Sequence, residues 1–341
     1  MPALEADQPF ALGISETLPI MERANDLVTI FGGSGFLGTQ VVQVLARQGY
    51  RIRVAVRRPD LAGHLKPLGA VGQIQPIQAN IRNADSVMRA VQGADVVINL
   101  VGIRFERGRQ LFRAVHTMGS RSVAEAARRA GATTLIQMSA LGADPQSASG
   151  YSRSKALGEA EVLAAFPEAI IIRPSIMFGP GDDFFNLHGT LARILPVLPL
   201  IGGKSKFQPI YVGDVAEAIA VAVNGGVKPG KVYELGGPEV VTHRQIVERV
   251  LRESLRNNPL IPVPRAFAKL MAAPFALLPF APLLTGDQVD LLMTDNVVSA
   301  EATREKRTLQ AFGVQPTPMD AILPGYLWRF RRNGQFDRQP A

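Results

Sequence analysis

Three side chains in the middle of the chain could together carry out proton chemistry. Tyr151 and Lys155 stand four positions apart in a segment whose pattern predicts a helix, so both would lie on one face, one turn apart. There the Lys155 ammonium would lower the pKa of the Tyr151 phenol, which could then move a proton. Ser139, at the end of a predicted strand, would orient the reacting carbonyl or hydroxyl group. These three residues are the candidate catalytic set.

A glycine-rich turn earlier in the chain has the spacing of a phosphate site. The apolar strand LVTIF runs directly into GGSGFLG, and a helical pattern follows. The three evenly spaced glycines would permit a tight bend, a close approach of the backbone to a pyrophosphate, and close packing of helix on strand. The N–H groups that begin the helix would then face the anion. Over the alternative of a simple tight turn, this context predicts a dinucleotide site formed by Gly32, Gly33, Ser34, Gly35, Phe36, Leu37 and Gly38.

Two arginines after the second predicted strand favour a phosphorylated ribose. Sites for NAD place Asp or Glu here, to accept a hydrogen bond from the ribose 2′-hydroxyl. The chain instead has Arg57 and Arg58, and a guanidinium pairs with a 2′-phosphate through two hydrogen bonds. The sequence therefore predicts NADPH as the cofactor, with a solvated basic turn as the alternative. Asn80, after the third predicted strand, is either a contact to the adenine edge or a turn residue.

Short apolar strands alternate with amphipathic helices along the part of the chain that must position these residues. Strands are predicted at residues 27–31, 51–56, 74–78, 95–100, 134–138 and 169–172, and helices at 35–48, 84–91, 112–130 and 151–165. This alternation is typical of a parallel sheet that is covered by helices on both faces. The predicted fold class is α/β, a doubly wound parallel Rossmann sheet.

Proline and glycine become frequent after Pro174, and the predicted elements become less regular. A strand at 207–212 precedes a helix at 214–223, and a strand at 231–235 precedes a helix at 242–253. The sequence therefore predicts four parts: an N-terminal extension (1–24), an NADP-binding Rossmann domain (25–175, to which some later segments return), a smaller mixed C-terminal lobe (176–328) and a basic tail (329–341).

The composition excludes several classes of site. The 341 residues include no cysteine, which excludes disulfides, iron–sulfur clusters and cysteine nucleophiles, and the four histidines show no metal-ligand spacing, so no metal site is predicted. The net charge of +8 predicts an acidic partner. Nucleic acid is disfavoured because only 6% of residues are aromatic and no run interleaves them with Lys or Arg.

The sequence shows no pattern of a leader or of a membrane span. The first residues are too acidic for a mitochondrial transit peptide and lack the basic and apolar regions of a signal peptide. The most apolar stretch, residues 266–284, contains Lys269 and three prolines, which argue against a spanning helix. It is predicted either to form buried short helices or to lie against anionic lipid headgroups. The tail arginines are either solvated or a docking contact for a larger assembly.

Four motifs together resemble an extended, atypical short-chain dehydrogenase/reductase: GGSGFLG, NLVG at 99–102, Ser139 and YSRSK at 151–155. The resemblance covers most of the chain from residue 25 and implies a Rossmann core with Ser139, Tyr151 and Lys155 at the triad positions. Tyr151 would then move a proton while hydride passes to or from a nicotinamide. The resemblance also implies that the cofactor is lined by Asn99, Ile81, Leu100, Val101, Gly102 and Pro174.

Three blocks of the second half resemble a narrower family, the short-chain-dehydrogenase-like accessory subunit of respiratory complex I (NADH:ubiquinone oxidoreductase) in its alphaproteobacterial form. The blocks are AFPEAIIIRPSIMFGPGDDFFN, FQPIYVGDVAEAI and PLLTGDQVDLLMTDNVVS. That family is held to bind NADPH tightly in the peripheral arm, near the membrane and without demonstrated turnover. The resemblance therefore implies a structural or regulatory role among other complex I subunits, on the cytoplasmic face of the bacterial inner membrane.

A second hypothesis is a free-standing NADP-dependent oxidoreductase or epimerase. It would use Ser139, Tyr151 and Lys155 on a small carbonyl or nucleotide-linked substrate. The intact triad favours this enzyme but does not decide between the two hypotheses. In the fold that the chain resembles, the lysine also bonds the nicotinamide ribose, so Lys155 could be retained for binding alone.

Overall fold

A computed structural model describes residues 26–274, 282 and 284–337, so the predicted extension at 1–24 lies outside the described residues. At its centre is a sheet of seven parallel strands. They are β1 (Leu27–Phe31), β2 (Arg51–Val56), β3 (Ile74–Gln78), β4 (Val96–Asn99), β5 (Thr134–Met138), β6 (Ile170–Pro174) and, after four short strands given below, β11 (Val232–Leu235). Their order across the sheet is β11-β6-β5-β4-β1-β2-β3.

Helices cover both faces of this sheet. One face packs against α1 (Phe36–Arg47) and α6 (Val212–Val223), and the other against α2 (Ala84–Val91), α3 (Met118–Arg129) and α4 (Gly150–Ala165). Neighbouring strand residues alternate between the two cores, as Ile30 and Phe31 do. Because strands such as β1 and β4 are buried on both faces, they read as nearly continuous apolar runs. The predicted doubly wound Rossmann sheet is confirmed.

Short polar residues explain where two of these helices begin. The Asn83 side chain accepts a hydrogen bond from Ser86 N at 2.8 Å and starts α2, and the Ser149 hydroxyl caps α4. The predicted helix at 112–130 differs, because it begins with a turn of π-helix, Arg113–Thr117, before α3. At that turn α4 comes so close that a Cβ on Gly158 would lie 2.2 Å from the carbonyl oxygen of His116.

Shorter elements form the C-terminal lobe around a core rich in phenylalanine. Its described strands are β7 (Met177–Phe178), β8 (Leu198–Ile201), β9 (Lys206–Phe207), β10 (Ile210–Tyr211), β12 (Val241–Thr242) and β13 (Leu260–Val263). Its described helices are α5 (Phe184–Ile194), α7 (His243–Glu253), α8 (Arg265–Ala272), α9 (Gly286–Leu292) and the short α10 (Ala300–Arg304), α11 (Met319–Ile322) and α12 (Pro324–Leu327).

The single strand predicted at 207–212 is wrong. The structure has two strands there, and they pair with different partners: β9 with β12, antiparallel, and β10 with β7, parallel. Pro209 lies between them and has no N–H to continue a ladder. After α6 the chain returns to the central sheet as β11, which pairs with β6.

Both edge strands of the central sheet are protected against pairing with a further strand. In β3 the backbone N–H and C=O groups of the odd-numbered residues point toward β2, and those of the even-numbered residues point away from the sheet. Pro76 is one of the even-numbered residues, and its nitrogen carries no proton to donate to a further strand. The outer side of β11 is covered by a later segment: Glu234 N donates to the Arg307 carbonyl at 2.9 Å, and the Arg307 guanidinium donates to the Val232 carbonyl at 2.5 Å.

The described part of the predicted basic tail folds onto the C-terminal lobe. Phe330 packs so tightly on α5 that a Cβ on Gly189 would lie 2.5 Å from its ring. Arg331 donates to the carbonyl of Glu253 at 2.8 Å. Residues 329–337 are therefore part of the lobe rather than a free extension, and the last four residues lie outside the described ones.

Candidate functional site

The glycine turn after β1 has the geometry that its spacing predicts. Gly32 has φ of +79°, a region that glycine enters without strain, and its carbonyl accepts a hydrogen bond from Gly35 N at 3.1 Å. A Cβ on Gly38 would lie 2.3 Å from that same oxygen, so only glycine lets α1 pack so closely. The described residues give α1 no side-chain cap and no acid in its first turn, which leaves its first N–H groups for an anion.

The remaining residues of the turn divide into two groups. A Cβ on Gly33 would lie 2.8 Å from the Val54 side chain, and Leu37 is buried in the core. Ser34 and Phe36 are partly exposed. A ligand at this turn would therefore meet backbone and the side chains of Ser34 and Phe36, and would meet Leu37 only through its N–H.

The two arginines after β2 differ in their contacts. Arg58 is bound to both carboxylate oxygens of Asp60, with Nε to Oδ1 at 3.0 Å and Nη2 to Oδ2 at 2.7 Å. Arg57 is exposed and makes no hydrogen bond or ion pair with any described residue. The structure therefore leaves Arg57 available for a 2′-phosphate, while Arg58 would first have to release Asp60.

After β3, the two residues predicted to line the cofactor are used by the protein itself. Asn80 Oδ1 accepts from Arg82 N at 3.1 Å, which is the turn alternative, although its amide nitrogen makes no hydrogen bond with a described residue. Ile81 is buried and packs against α3, where a Cβ on Gly119 would lie 3.0 Å from it. The Ile81 side chain therefore lies in the hydrophobic core and not on the surface of the predicted cofactor site.

The segment after β4 joins the glycine turn to α4, the helix that carries Tyr151 and Lys155. A Cβ on Gly32 would lie 3.2 Å from both Leu100 C and Val101 N, and a Cβ on Gly102 would lie 3.4 Å from Lys155 Nζ. The three parts of the predicted site are therefore contiguous. Asn99, predicted to line the cofactor, instead has a fully buried side chain.

That buried amide has a structural role at the end of β4. Asn99 Nδ2 donates to Gln137 Oε1 at 2.8 Å, and Asn99 Oδ1 accepts from Val101 N at 3.2 Å. The side chain therefore ties β4 to β5 and holds the following segment, instead of facing a ligand.

Tyr151 and Lys155 lie together in the first turns of α4. Lys155 Nζ is 5.9 Å from the centre of the Tyr151 ring and donates to the carbonyl of Met138 at 3.3 Å. The rings of His116 and Phe112 meet the Tyr151 ring edge to face, with centroids 5.4 and 5.9 Å away. The Tyr151 hydroxyl makes no hydrogen bond with any residue in the described part of the chain, so it is available to a ligand.

The electrostatics of this pair differ from the prediction. Burial and the nearby Asp287 carboxylate raise the pKa of Tyr151 to about 12, against the lowering effect of Arg104. Burial lowers the pKa of Lys155 to about 8, although Glu159 favours its charge. Burial therefore raises the pKa of Tyr151, whereas the Tyr–Lys spacing alone suggested a lowered pKa.

His116 was not singled out from the sequence, since no motif surrounds it. Its Nε2 accepts from Ile103 N at 2.9 Å, so Nδ1 carries the proton and donates to Ser154 Oγ at 2.8 Å; Ser154 donates in turn to the Tyr151 carbonyl. Burial, and then Lys155, lower the pKa of His116 to about 2. This neutral ring holds the segment after β4 against α4.

The hydroxyl of Ser139 is engaged by a carboxylate. It donates to Glu159, which also receives Arg173 Nε at 2.8 Å and Nη2 at 2.6 Å. Arg173 reaches Glu234 on β11 at 3.4 Å. Both carboxylates are largely buried. Ser139 therefore belongs to a charged network across β5, β6, β11 and α4, and Pro174, which follows Arg173, is buried.

Asp287, from the C-terminal lobe, holds the first turn of α4. Its carboxylate accepts from Gly150 N at 2.6 Å, from Ser149 Oγ at 2.9 Å and from Tyr151 N at 3.3 Å. Sequence reasoning missed this residue because 136 positions separate it from Tyr151. The only signal was its place in the block PLLTGDQVDLLMTDNVVS.

Two of the histidines lie close together in the structure although they are 55 positions apart in the sequence. Nε2 of His188 and Nε2 of His243 lie 3.2 Å apart in the C-terminal lobe, and each Nδ1 faces a backbone carbonyl. No group of three or more metal-ligand side chains occurs among the described residues.

Comparisons with known proteins identify the family to which this chain belongs. Residues 28–236 match the NAD dependent epimerase/dehydratase family. A solved structure, the NADPH-dependent quinone oxidoreductase QOR2 of Escherichia coli complexed with NADPH, is 21% identical with a TM-score of 0.67, over 85% of this chain and 96% of that one. At this identity the likeness concerns the fold.

Two curated relatives are more similar in sequence. The mitochondrial NADH dehydrogenase [ubiquinone] 1 alpha subcomplex subunit 9 of Arabidopsis thaliana is 37% identical over 321 residues, 90% of this chain and 79% of that protein. A ceramide reductase of Caulobacter vibrioides is also 37% identical, but over 194 residues, 57% of this chain and 59% of the enzyme. The chain therefore belongs to the NAD dependent epimerase/dehydratase family and, within it, to the family of NADH dehydrogenase [ubiquinone] alpha subcomplex subunit 9.

Proposed function

We propose that this protein is an NADPH-binding accessory subunit of respiratory complex I, structural or regulatory rather than catalytic. The observation that carries the proposal is the similarity to the alpha subcomplex subunit over 90% of the chain, which extends well beyond the dinucleotide-binding family match at 28–236. The ceramide reductase matches only 57% of the chain. We place the protein in the peripheral arm near the membrane, on the cytoplasmic face of the bacterial inner membrane, as an alphaproteobacterial form.

The site supports retention of a cofactor without turnover. The close-packed glycine turn and the uncapped start of α1 suit a pyrophosphate, and Arg57 suits a 2′-phosphate. NADPH, when bound, would supply a hydride. The residues that would orient the carbonyl and move the accompanying proton are poorly prepared, since Ser139 is held by Glu159 and the pKa of Tyr151 is raised to about 12. A ligand that binds only the folded state stabilises it by about 4 kcal/mol at a thousandfold excess over Kd.

Replacing Arg57 with aspartate is expected to weaken NADPH binding by roughly ten- to a hundredfold and to leave NADH binding unchanged. The change removes a charge-assisted contact with the 2′-phosphate and adds repulsion, and NADH has no such phosphate. Affinities are measured by calorimetry. Arg51→Asp, the same charge change at the exposed start of β2, is the control and should affect neither ligand. Equal loss of both nucleotides in Arg57→Asp would contradict the assignment.

An exposed apolar face of α8 suits the proposed position at a membrane surface. Phe267 is 56% exposed and Leu270 is 68% exposed, with Met271 beside them. Arg265 and Lys269 lie on the same helix, and both are paired with Asp290 of α9. A short helix with apolar and basic residues can rest in the headgroup region of anionic lipid. None of the described helices is long and apolar enough to cross a membrane.

Native electrophoresis of detergent-solubilised membranes tests the assembly. In the cells that carry this gene, we expect the tagged chain in the band that holds the other complex I subunits and NADH dehydrogenase activity. Phe267→Ser with Leu270→Ser should release part of the chain into the soluble fraction, whereas Leu61→Ser, at a leucine 66% exposed outside the C-terminal lobe, should not. Recovery of the wild-type chain only as a free soluble oligomer would refute the accessory role.

One observation favours the second candidate, a free-standing NADP-dependent oxidoreductase or epimerase. The Tyr151 hydroxyl has no hydrogen-bond partner among the described residues, so it is open to a carbonyl or nucleotide-linked substrate, and a relative that matches part of the chain is named a ceramide reductase. NADPH oxidation with a carbonyl substrate that is lost in Tyr151→Phe, together with a free soluble protein, would establish this candidate instead.

A further inference from the structure

Asp287 reaches the dinucleotide site from the far end of the chain. It lies in α9, whose own start is satisfied by a capping box between Thr285 and Gln288. The Asp287 carboxylate is therefore not needed by its own helix. It accepts two backbone N–H groups of α4, from Gly150 and Tyr151, and the hydroxyl of Ser149.

The helix that receives this carboxylate carries the polar residues of the site on one face. Tyr151, Lys155 and Glu159 follow one another at intervals of four residues along α4. A negative charge at a helix N-terminus is stabilising, and charge-assisted bonds are about twice as strong as neutral ones. Asp287 is thus placed to fix the position of α4 along its axis and its rotation about that axis. Both determine how α4 meets Gly102 in the segment after β4.

We propose that Asp287 is a positioning residue of the dinucleotide site, supplied by the C-terminal lobe, which seats the first turn of α4. The proposal rests on the proposed NADPH site. It adds that nucleotide binding and the seating of α9 are coupled, and such coupling is reciprocal: a partner that moves α9 changes the affinity for NADPH, and NADPH steadies α9.

Charged and titratable groups from several elements face Tyr151. Asp287 comes from α9, and Lys155 from α4. His116 comes from the π-turn, and Arg104 comes from the segment after β4. Arg104 is itself paired with Asp183 at 2.9 Å. Of these groups only Asp287 places a negative charge beside the phenol, so its removal has an effect of predictable sign: the phenolate becomes easier to form.

The test compares Asp287→Asn and Asp287→Ala with Asp290→Asn, which removes the same charge from the same helix. Asp290 binds Arg265 and Lys269 of α8, and among the described residues it makes no hydrogen bond or ion pair with α4. NADPH affinity is measured by calorimetry, and folding is checked by circular dichroism. We expect Asp287→Ala to weaken binding by about tenfold or more, Asp287→Asn to weaken it less because one oxygen remains, and Asp290→Asn to bind as wild type.

A second readout separates positioning from a general loss of structure. The five tyrosines are replaced by 3-fluorotyrosine, which lowers every phenol pKa and brings the titration below alkaline unfolding, and the Tyr151 fluorine signal is identified with Tyr151→Phe. In the nucleotide-free protein, Asp287→Asn should move the Tyr151 midpoint to lower pH, by on the order of one pH unit or less. Asp290→Asn should leave the midpoint unchanged.

The outcomes distinguish this inference from the proposed function. If wild type binds NADPH but Asp287→Asn leaves both the affinity and the Tyr151 midpoint unchanged, the positioning role is refuted and the NADPH site stands. If wild type binds no NADPH, the proposed function fails, and the Tyr151 midpoint alone decides whether Asp287 acts on this residue.

Discussion

Replacing Gly38 with alanine is expected to abolish NADPH binding and to lower the free energy of unfolding by about 1–3 kcal/mol. The new Cβ would lie 2.3 Å from the Gly32 carbonyl oxygen and 2.6 Å from atoms of Gly33. All three are backbone atoms, so no side-chain rotation relieves the contact. The glycine turn must move away from α1, and the surface that would receive the pyrophosphate moves with it.

Calorimetric titration with NADPH and urea denaturation measure the two effects. Gly63→Ala is the matched control, because no atom lies within 4 Å of a Cβ at that position. We expect the control to bind normally and to be no less stable. If Gly38→Ala binds within about tenfold of wild type, the glycine turn is not the pyrophosphate site.

The second large effect is expected at Arg173, whose replacement by leucine should cost about 3–5 kcal/mol. The guanidinium lies between Glu159 at 2.6 Å and Glu234 at 3.4 Å, and the side chains of these residues are 22%, 7% and 10% exposed. Removing it leaves two buried carboxylates without the guanidinium that pairs with both. Urea denaturation at pH 7 measures the loss.

An exposed arginine with the same arrangement is the control for this prediction. Arg121 contacts Glu125 at 2.8 Å and Glu161 at 3.4 Å, but its side chain is 56% exposed, so Arg121→Leu should cost about 1 kcal/mol or less. Combining Arg173→Leu with Glu159→Gln should restore part of the stability, because one uncompensated charge is then gone. Equal losses at the two arginines would show that burial of the network around Ser139 does not raise the cost of removing its guanidinium.

The sequence predicts those parts of the fold and site that depend on neighbours along the chain. Nearly continuous apolar runs identified strands such as β1 and β4, because buried parallel strands need no alternation. The glycine turn and the Tyr151–Lys155 spacing could be interpreted for the same reason, since both are local geometry. Even a contact between near neighbours can be overlooked in the sequence. Arg58 pairs with Asp60, which is only two residues away.

The rest depends on contacts between distant segments. Asp287 meets Tyr151 across 136 positions, and Glu159 meets Ser139 across 20, and no spacing rule relates either pair. Burial is also invisible in a local pattern. The prediction that Lys155 lowers the Tyr151 pKa considered charge alone, whereas burial is the largest cause of the shift in the folded protein, and it raises that pKa.

The two blunted edges of the central sheet limit how the protein can join a larger assembly. Pro76 removes a donor from the outer row of β3, and Arg307 occupies that of β11, so neither edge is a ready template for β-augmentation by a neighbouring chain. Contacts in the proposed assembly would then use side chains presented by helices and loops. The same closure should protect the protein from edge-to-edge aggregation.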